Sequence, residues 1–189
     1  MIKNNKILFL GYNKTETSLI EKIENKGYEV IQRENNIEDL NIDEYSSIIS
    51  YGYRYILSKK LIDYVNFDII NLHPSYLPWN RGRHSNFWSF YDNTPKGVTI
   101  HIIDKGIDTG DIIYQKSVEF SKDENTFAQT YWRLRKELED LFMENIDSIL
   151  NRKYTSYPQN GKGTFHKETD LNGFCDWNLH INDFKKESV

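Results

Sequence analysis

The amino-acid sequence predicts an α/β fold built around a mostly parallel sheet, and two patterns lead to this prediction. Short apolar runs alternate with segments whose apolar residues recur every three or four positions, as expected of repeated βαβ units. A long amphipathic segment follows and ends near Leu150. We therefore expect helices to flank the sheet and a short, polar C-terminal tail to follow them.

The first half of the chain predicts four strands. They are residues 7–10, 28–31, 48–51 and 67–72, with helices predicted from Leu19 to Gly27 and over residues 59–65. The first strand, helix and second strand fit within about 25 residues, which is the length of a compact βαβ unit.

The second half begins with a loop over residues 73–85, because Pro74, Pro78 and Gly82 interrupt any regular pattern. A helix is predicted to start near Asn86, and strands are predicted over residues 98–103 and 112–115. Apolar residues at spacings of three and four then predict one amphipathic helix from Phe127 to about Leu150.

Length and composition restrict the class of protein. The 189 residues suit one domain over residues 1–150, with a tail over residues 151–189 that packs on the domain or mediates assembly. A net charge of −4 disfavours nucleic acid as a partner, since phosphate backbones attract clustered positive charge. The single cysteine, Cys175, permits no internal disulfide and indicates a cytoplasmic location. No run of about 18 apolar residues suggests a membrane partner or a leader.

Polar side chains at two predicted strand ends could act on a carbonyl group. Asn71 and His73 would share one side of a strand, and Asp104, Asp108 or Asp111 could join them. An amide can hold an oxyanion, an imidazole can move a proton and a carboxylate can orient the imidazole. Each of these residues also has a purely structural interpretation. Asn71 and His73 could form a capped turn, and the aspartates could be ordinary turn residues. His101 could be a hydrogen-bonded histidine of the core. No histidine spacing suggests a metal site.

Two longer motifs include these polar residues. The first is Asn-Leu-His-Pro-Ser-Tyr-Leu-Pro-Trp-Asn-Arg-Gly at residues 71–82. The second is Gly-Val-Thr-Ile-His at residues 97–101, continued by Gly-Ile-Asp-Thr-Gly-Asp-Ile-Ile at residues 106–113. Both motifs resemble the formyltransferase family, which includes the glycinamide ribonucleotide, methionyl-tRNA and sugar N-formyltransferases. The resemblance covers residues 6–150 and implies a Rossmann-like fold.

The resemblance also implies a donor and a set of site residues. Asn71, His73 and Asp108 match the family's catalytic trio, with Asn71 and His73 stabilising the oxyanion and Asp108 tuning His73 and relaying the amine proton. N10-formyltetrahydrofolate is the implied donor, with no metal. The residues expected to bind it are Tyr55, Ile56, Leu57, Ile103, Asp104 and Ile107, and those expected to bind the acceptor are Trp79, Asn80, Arg81 and Gly82.

Where this sequence differs from particular branches of the family, the differences reduce the number of candidate acceptors. Residues 11–17 lack the phosphate loop of the glycinamide ribonucleotide enzymes, and the chain ends before the further β-domain of the methionyl-tRNA enzymes. A nucleotide-linked amino sugar is therefore the first expectation. Two other acceptors remain as alternatives: a carrier-bound aminoacyl group, as in gramicidin-type peptide synthetases, and glycinamide ribonucleotide. The non-enzymatic alternative is a protein that binds folate without turnover. Ile146, Ile149 and Leu150 could support a homodimer, although packing within the chain explains them more simply.

Overall fold

The computed structural model describes residues 5–38, 40–173 and 176–184. In chain order its strands and helices are β1 (Lys6–Gly11), α1 (Leu19–Glu24), β2 (Glu29–Arg33), β3 (Ser47–Tyr51), α2 (Lys59–Tyr64), β4 (Ile69–His73), β5 (Arg81–Gly82), α3 (Ser85–Tyr91), β6 (Gly97–Ile102), β7 (Ile112–Ser117), α4 (Phe127–Glu144), α5 (Ile146–Leu150) and β8 (Phe165–His166). Short 3₁₀ turns lie at Ile42–Glu44, Glu168–Leu171 and Ile181–Asp183. The predicted α/β class and all six predicted strands are confirmed.

Six strands form the central sheet in the order β2-β1-β3-β4-β6-β7. The first four pair in parallel, whereas β6 runs antiparallel to β4 and β7 runs antiparallel to β6. The carboxyl end of β6 therefore lies beside the amino end of β4, where the Ile103 N–H donates to the Ile69 carbonyl at 2.7 Å. If β4 and β6 were parallel neighbours, their carboxyl ends would instead lie at the same edge of the sheet.

The central strands read as continuous apolar runs because both faces of the sheet are covered. Alternate residues of β1 face opposite sides: Ile7 and Phe9 pack with α1 and α4, and Leu8 and Leu10 pack near α2. The β4 strand divides in the same way. Ile70 and Leu72 pack on the same face as Ile7 and Phe9, and Ile69 packs on the same face as Leu8 and Leu10.

The long C-terminal helix is interrupted, which corrects the prediction of one helix to Leu150. The α4 helix ends at Glu144, and Asn145, with φ −117° and ψ 10°, separates it from α5. The Asn145 side chain donates to the Leu141 carbonyl at 2.9 Å, and asparagine competes in this way for carbonyls that would continue a helix. Ile146 and Ile149 are buried in the core of the same chain.

The segment after α5 packs against β5, β7, α3 and the start of α4. Its β8 strand pairs in parallel with β5, and Tyr157 forms an antiparallel bridge with Ile112. Farther on, Leu171, Trp177, Ile181 and Phe184 pack with the aromatic residues of α3 and the start of α4.

Within the described ranges, no helix has the length and apolar character that crossing a bilayer requires.

Candidate active site

Asn71 and His73 lie on one face of β4, because they are two residues apart on a continuous strand. His101 of β6 pairs directly with Asn71 across the antiparallel ladder, so its ring lies on the same face. The three side chains thus form a polar patch. On the same face of β4, the neighbouring residue Ile69 is apolar and buried.

Asp108 reaches this patch although the loop that carries it leaves β6 at the other end of β4. The loop folds back over the sheet face, and Asp108 adopts a left-handed conformation with φ 51°. Its Oδ2 accepts the Gly82 N–H at 2.8 Å and lies 3.7 Å from His73 Nδ1. Its Oδ1 accepts from Asn71 Nδ2 at 3.4 Å and lies 3.5 Å from His101 Nε2. The structure therefore brings together the three residues of the expected trio.

His73 is held in one tautomer by its surroundings. Its Nε2 lies 3.2 Å from the Asn80 carbonyl oxygen, which can only accept a hydrogen bond, so Nε2 carries the proton. Burial lowers the pKa of His73 below its ordinary value, while the Asp108 carboxylate partly opposes this shift. At neutral pH the imidazole is uncharged and presents an unprotonated Nδ1 to Asp108.

Asp108 stays ionised in spite of its burial. Burial by itself would raise the pKa of this carboxyl, but the positive charge of a protonated His73 or His101 ring, together with the Gly82 N–H, outweighs burial and holds the pKa well below its usual range. A neutral imidazole beside a carboxylate can accept a proton at Nδ1, and the carboxylate then stabilises the imidazolium that forms.

His101 is a residue whose place at the site the sequence did not reveal. It is 1% exposed, and its Nδ1 donates to the Ile102 carbonyl at 2.8 Å, as the interpretation of a hydrogen-bonded core histidine requires. Its Nε2 is therefore the acceptor for the Asn71 side-chain amide at 3.1 Å. The sequence signal was present in the motif at residues 97–101, but only the antiparallel register places this ring beside Asn71.

The expected acceptor residues lie in the loop before α3, and three of them contact the tail. Asn80 is fully buried, and its side chain bonds to Thr94 and Thr164. The Arg81 guanidinium donates to the Lys162 carbonyl at 2.9 Å, and Gly82 pairs with His166. Gly82 needs to be glycine because its φ is 87° and a Cβ would overlap the His166 carbonyl. Trp79 is half-buried in the same loop.

A cavity of about 290 Å³ lies on the sheet face that carries the polar patch. It is lined by Ile62, Val65, Asn66, Phe67, Asp68, Ile69, Ile102 and Ile103. Ile69 is two residues from Asn71 on β4, a separation of about 7 Å along a strand. Ile103 follows His101 at the same spacing.

Of the six residues expected to bind folate, Ile103 lines this cavity and the other five do not. Leu57 is buried in the apolar cluster against which Ile103 packs. Three are exposed apolar side chains: Tyr55 at 48%, Ile56 at 81% and Ile107 at 41%. The Asp104 carboxylate accepts from Thr109 Oγ1 at 2.6 Å and from the Gly106 N–H at 3.0 Å, so it holds the turn of its own loop.

Among the residues that the structure describes, no three histidine, cysteine or acidic side chains are grouped so that they could hold a metal ion.

Comparison with known proteins assigns this arrangement to a family. Residues 3–146 match the family described as Formyl transferase. The chain belongs to this formyl transferase family. The predicted resemblance is therefore confirmed over most of the chain.

Two kinds of curated relative show how broad the formyl transferase family is. The methionyl-tRNA formyltransferase of Thermodesulfovibrio yellowstonii is 33% identical over 141 residues, which cover 71% of this chain and 44% of that protein. The dTDP-4-amino-4,6-dideoxyglucose formyltransferase of Mycobacterium bovis is 30% identical over 130 residues, which cover 69% and 54%. The chain thus spans about half the length of these relatives.

A solved structure of similar length gives a fuller match. The formyltransferase PseJ of Anoxybacillus kamchatkensis, in complex with UDP-4,6-dideoxy-4-formamido-L-AltNAc and tetrahydrofolate, is 37% identical with a TM-score of 0.89. The match covers 97% of this chain and 100% of that one.

Proposed function

We propose that this protein transfers a formyl group from N10-formyltetrahydrofolate to the primary amine of a nucleotide-linked amino sugar. The observation that carries the proposal is the convergence of Asn71, His73 and Asp108 on one sheet face of a formyl transferase fold. An amide donor, a neutral imidazole and an ionised carboxylate are the groups needed to move an acyl carbon between two nitrogens.

In the proposed reaction, each residue has a role that follows from its contacts. The acceptor amine attacks the formyl carbon, and a tetrahedral oxyanion forms. The Asn71 amide exchanges its long 3.4 Å contact with Asp108 for the oxyanion. His73 accepts the amine proton at Nδ1, and Asp108 stabilises the resulting charge. The bond from carbon to N10 then breaks, and the proton passes from His73 to the leaving N10.

The position of the cavity supports folate as the donor. A reduced pterin has apolar ring faces and a polar edge of amino, amide and ring-nitrogen groups, so it needs a slot with apolar walls and a few polar groups. The cavity is lined by isoleucines and by Asn66 and Asp68, which precede β4. It lies about 7 Å from Asn71 along the strand, close enough for one bound molecule to reach both.

The choice of acceptor rests on two supports. PseJ, whose whole chain is matched, was solved with a nucleotide-linked formamido sugar, and this similarity favours an amino sugar as the acceptor. The net charge of −4 points in the same direction, because tRNA binding is favoured by clustered positive charge.

The test is a mass-spectrometric assay with N10-formyltetrahydrofolate and a panel of amines. The panel contains nucleotide-linked amino sugars, glycinamide ribonucleotide, a carrier-bound aminoacyl group and methionyl-tRNA. We expect a gain of one formyl mass on an amino sugar, and a rate for Asn71→Ala that is lower by about 100- to 1000-fold. Formylation of another member of the panel would overturn the amino-sugar assignment and identify the acceptor. If the protein bound folate but formylated no member of the panel, the result would favour a folate-binding protein without turnover.

A further inference from the structure

The tail holds the loop that carries Asp108 through one side chain. Gln159 Nε2 donates to the carbonyl oxygens of Asp108 and Gly110, both at 2.8 Å. These residues are about 50 positions apart in the chain, and no local pattern relates them. The contact connects the polar tail directly to the backbone of an expected catalytic residue.

The conformation of this loop is one that needs support. Asp108 has φ 51°, a region that costs a non-glycine residue about 1 kcal/mol or more. Gly110 passes so close to β6 that a Cβ would overlap the Ile102 carbonyl. A loop with a strained residue at its tip is displaced easily unless its backbone is bonded to a fixed group.

Gln159 is itself fixed in place. Two residues earlier, Tyr157 exchanges both backbone hydrogen bonds with Ile112, at 2.8 and 3.0 Å. The orientation of the Gln159 amide is determined because both of its partners are carbonyl oxygens, which accept only from the NH₂ group. Its Oε1 is buried with no partner among the described residues, and burial of an unpaired acceptor is unfavourable. Among the described residues, the use that the structure shows for an amide at this position is thus the two donated bonds.

We propose that Gln159 is a positioning residue that sets the distance between Asp108 and His73 by holding the 108–110 turn. The inference rests on the proposed formyl transfer, and it extends the active unit beyond the catalytic domain into the tail. The 3.7 Å from His73 Nδ1 to Asp108 Oδ2 leaves little tolerance, because a farther carboxylate stabilises the imidazolium less.

The kinetic test compares Gln159→Met and Gln159→Glu with the unmodified chain. Methionine keeps the length of the side chain without a donor, and an ionised glutamate places oxygen against two carbonyl oxygens. For both variants we expect kcat to fall by about 10- to 100-fold, the range typical of a misplaced catalytic group, with KM changed by less than about twofold. A kcat for either variant within twofold of the unmodified chain would overturn the proposal.

The matched control is Asn5→Ala. Asn5 donates a side-chain amide hydrogen bond to the Gly27 carbonyl at 2.8 Å, at the amino-terminal edge of the parallel strands and far from His73. We expect its kcat and KM to equal those of the unmodified chain. A similar loss of kcat in Asn5→Ala would show that any lost amide contact has this effect, and would remove the case for Gln159.

A second measurement does not depend on turnover. Three groups face the His73 imidazole: the Asp108 carboxylate, the His101 ring and the Asn80 carbonyl. The Asp108 charge raises the pKa of His73 against the effect of burial, so a displaced Asp108 lowers this pKa further. In an NMR titration of the imidazole signals, assigned with His73→Ala, we expect the His73 midpoint to move to lower pH in Gln159→Met.

The two measurements separate failure of this inference from failure of the proposed function. If no acceptor is formylated by the unmodified chain, the proposed function fails, and the titration alone decides the role of Gln159. If formylation occurs but the His73 midpoint is the same in Gln159→Met, the positioning role is wrong and the proposed function stands.

Discussion

At the scale of single residues, the site depends on which nitrogen of each histidine carries the proton. The Asn80 carbonyl fixes the proton of His73 on Nε2, and the Ile102 carbonyl fixes the proton of His101 on Nδ1. His101 then accepts from Asn71, which orients the amide hydrogens toward the space beside His73 and Asp108. Backbone carbonyls, whose positions the sheet determines, thus decide the chemistry of the side chains.

The proton-accepting role proposed for His73 predicts a specific pH dependence. His73 must be uncharged to accept the amine proton, and burial lowers its pKa below the ordinary 6.5. We therefore expect kcat/KM to be constant near neutral pH and to fall only below pH 6.5. In Asp108→Asn the carboxylate that raises this pKa is absent, so the acid limb moves to lower pH while the plateau falls by about 100-fold or more.

The control for this profile is Asp111→Asn, an exposed aspartate in the same loop. It should keep both the plateau and the position of the acid limb. An acid limb that moves to higher pH in Asp108→Asn would contradict the assignment, because removal of a negative neighbour cannot raise the pKa of a histidine by charge alone.

At the scale of the elements, α4 is important because it shares with α1 the cover of one face of the sheet. Leu134 and Leu138 are buried against β1, β4 and β6, and Arg135 donates to the Tyr51 hydroxyl at 3.2 Å. The start of the helix is defined by a capping box. The Thr126 hydroxyl accepts the Gln129 N–H at 3.2 Å, and the Gln129 side chain accepts the Thr126 N–H at 3.1 Å.

The capping box predicts a measurable contribution to stability. Thr126→Ala removes the acceptor for an N–H group that has no helical partner, and we expect it to lower the free energy of unfolding by about 1 kcal/mol. Thr126→Ser keeps the hydroxyl and should lose little. Urea unfolding followed by circular dichroism measures both, with Thr155→Ala, an exposed threonine of the tail, as the control without effect. Equal stability of Thr126→Ala and the unmodified chain would show that α4 does not depend on its cap.

At the scale of the whole molecule, the polar tail is joined to the domain along much of its length. Gln159 bonds to the loop that carries Asp108, β8 pairs with β5, and Leu171 packs with Phe87 and Phe127 in an aromatic cluster. Arg81 and Asn80, expected to contact the acceptor, bond to the same segment. The tail therefore supports both sides of the proposed site.

This packing predicts that a tail residue contributes to global stability. Leu171 is 5% exposed, and Leu171→Ala should lower the free energy of unfolding by about 2 to 5 kcal/mol, as for other buried leucines. Ile56→Ala is the control, because Ile56 is 81% exposed and its loss should leave the free energy of unfolding unchanged. Tryptophan fluorescence during urea unfolding measures both variants. If Leu171→Ala unfolds at the same urea concentration as the unmodified chain, the tail packs on the domain without stabilising it.

The sequence by itself determined the strands, most of the helices and the candidates Asn71, His73 and Asp108, because apolar periodicity and the two motifs are properties of neighbouring residues. The tertiary structure alone decided the antiparallel direction of β6, the contact of His101 with Asn71, and the contact of Gln159 with the Asp108 loop. These depend on hydrogen bonds between residues about 30 to 50 positions apart, and a strand of two residues such as β8 has no periodicity to read. The break at Asn145 was also decided there, since a side-chain bond to a carbonyl overrode an apolar pattern that continues through it.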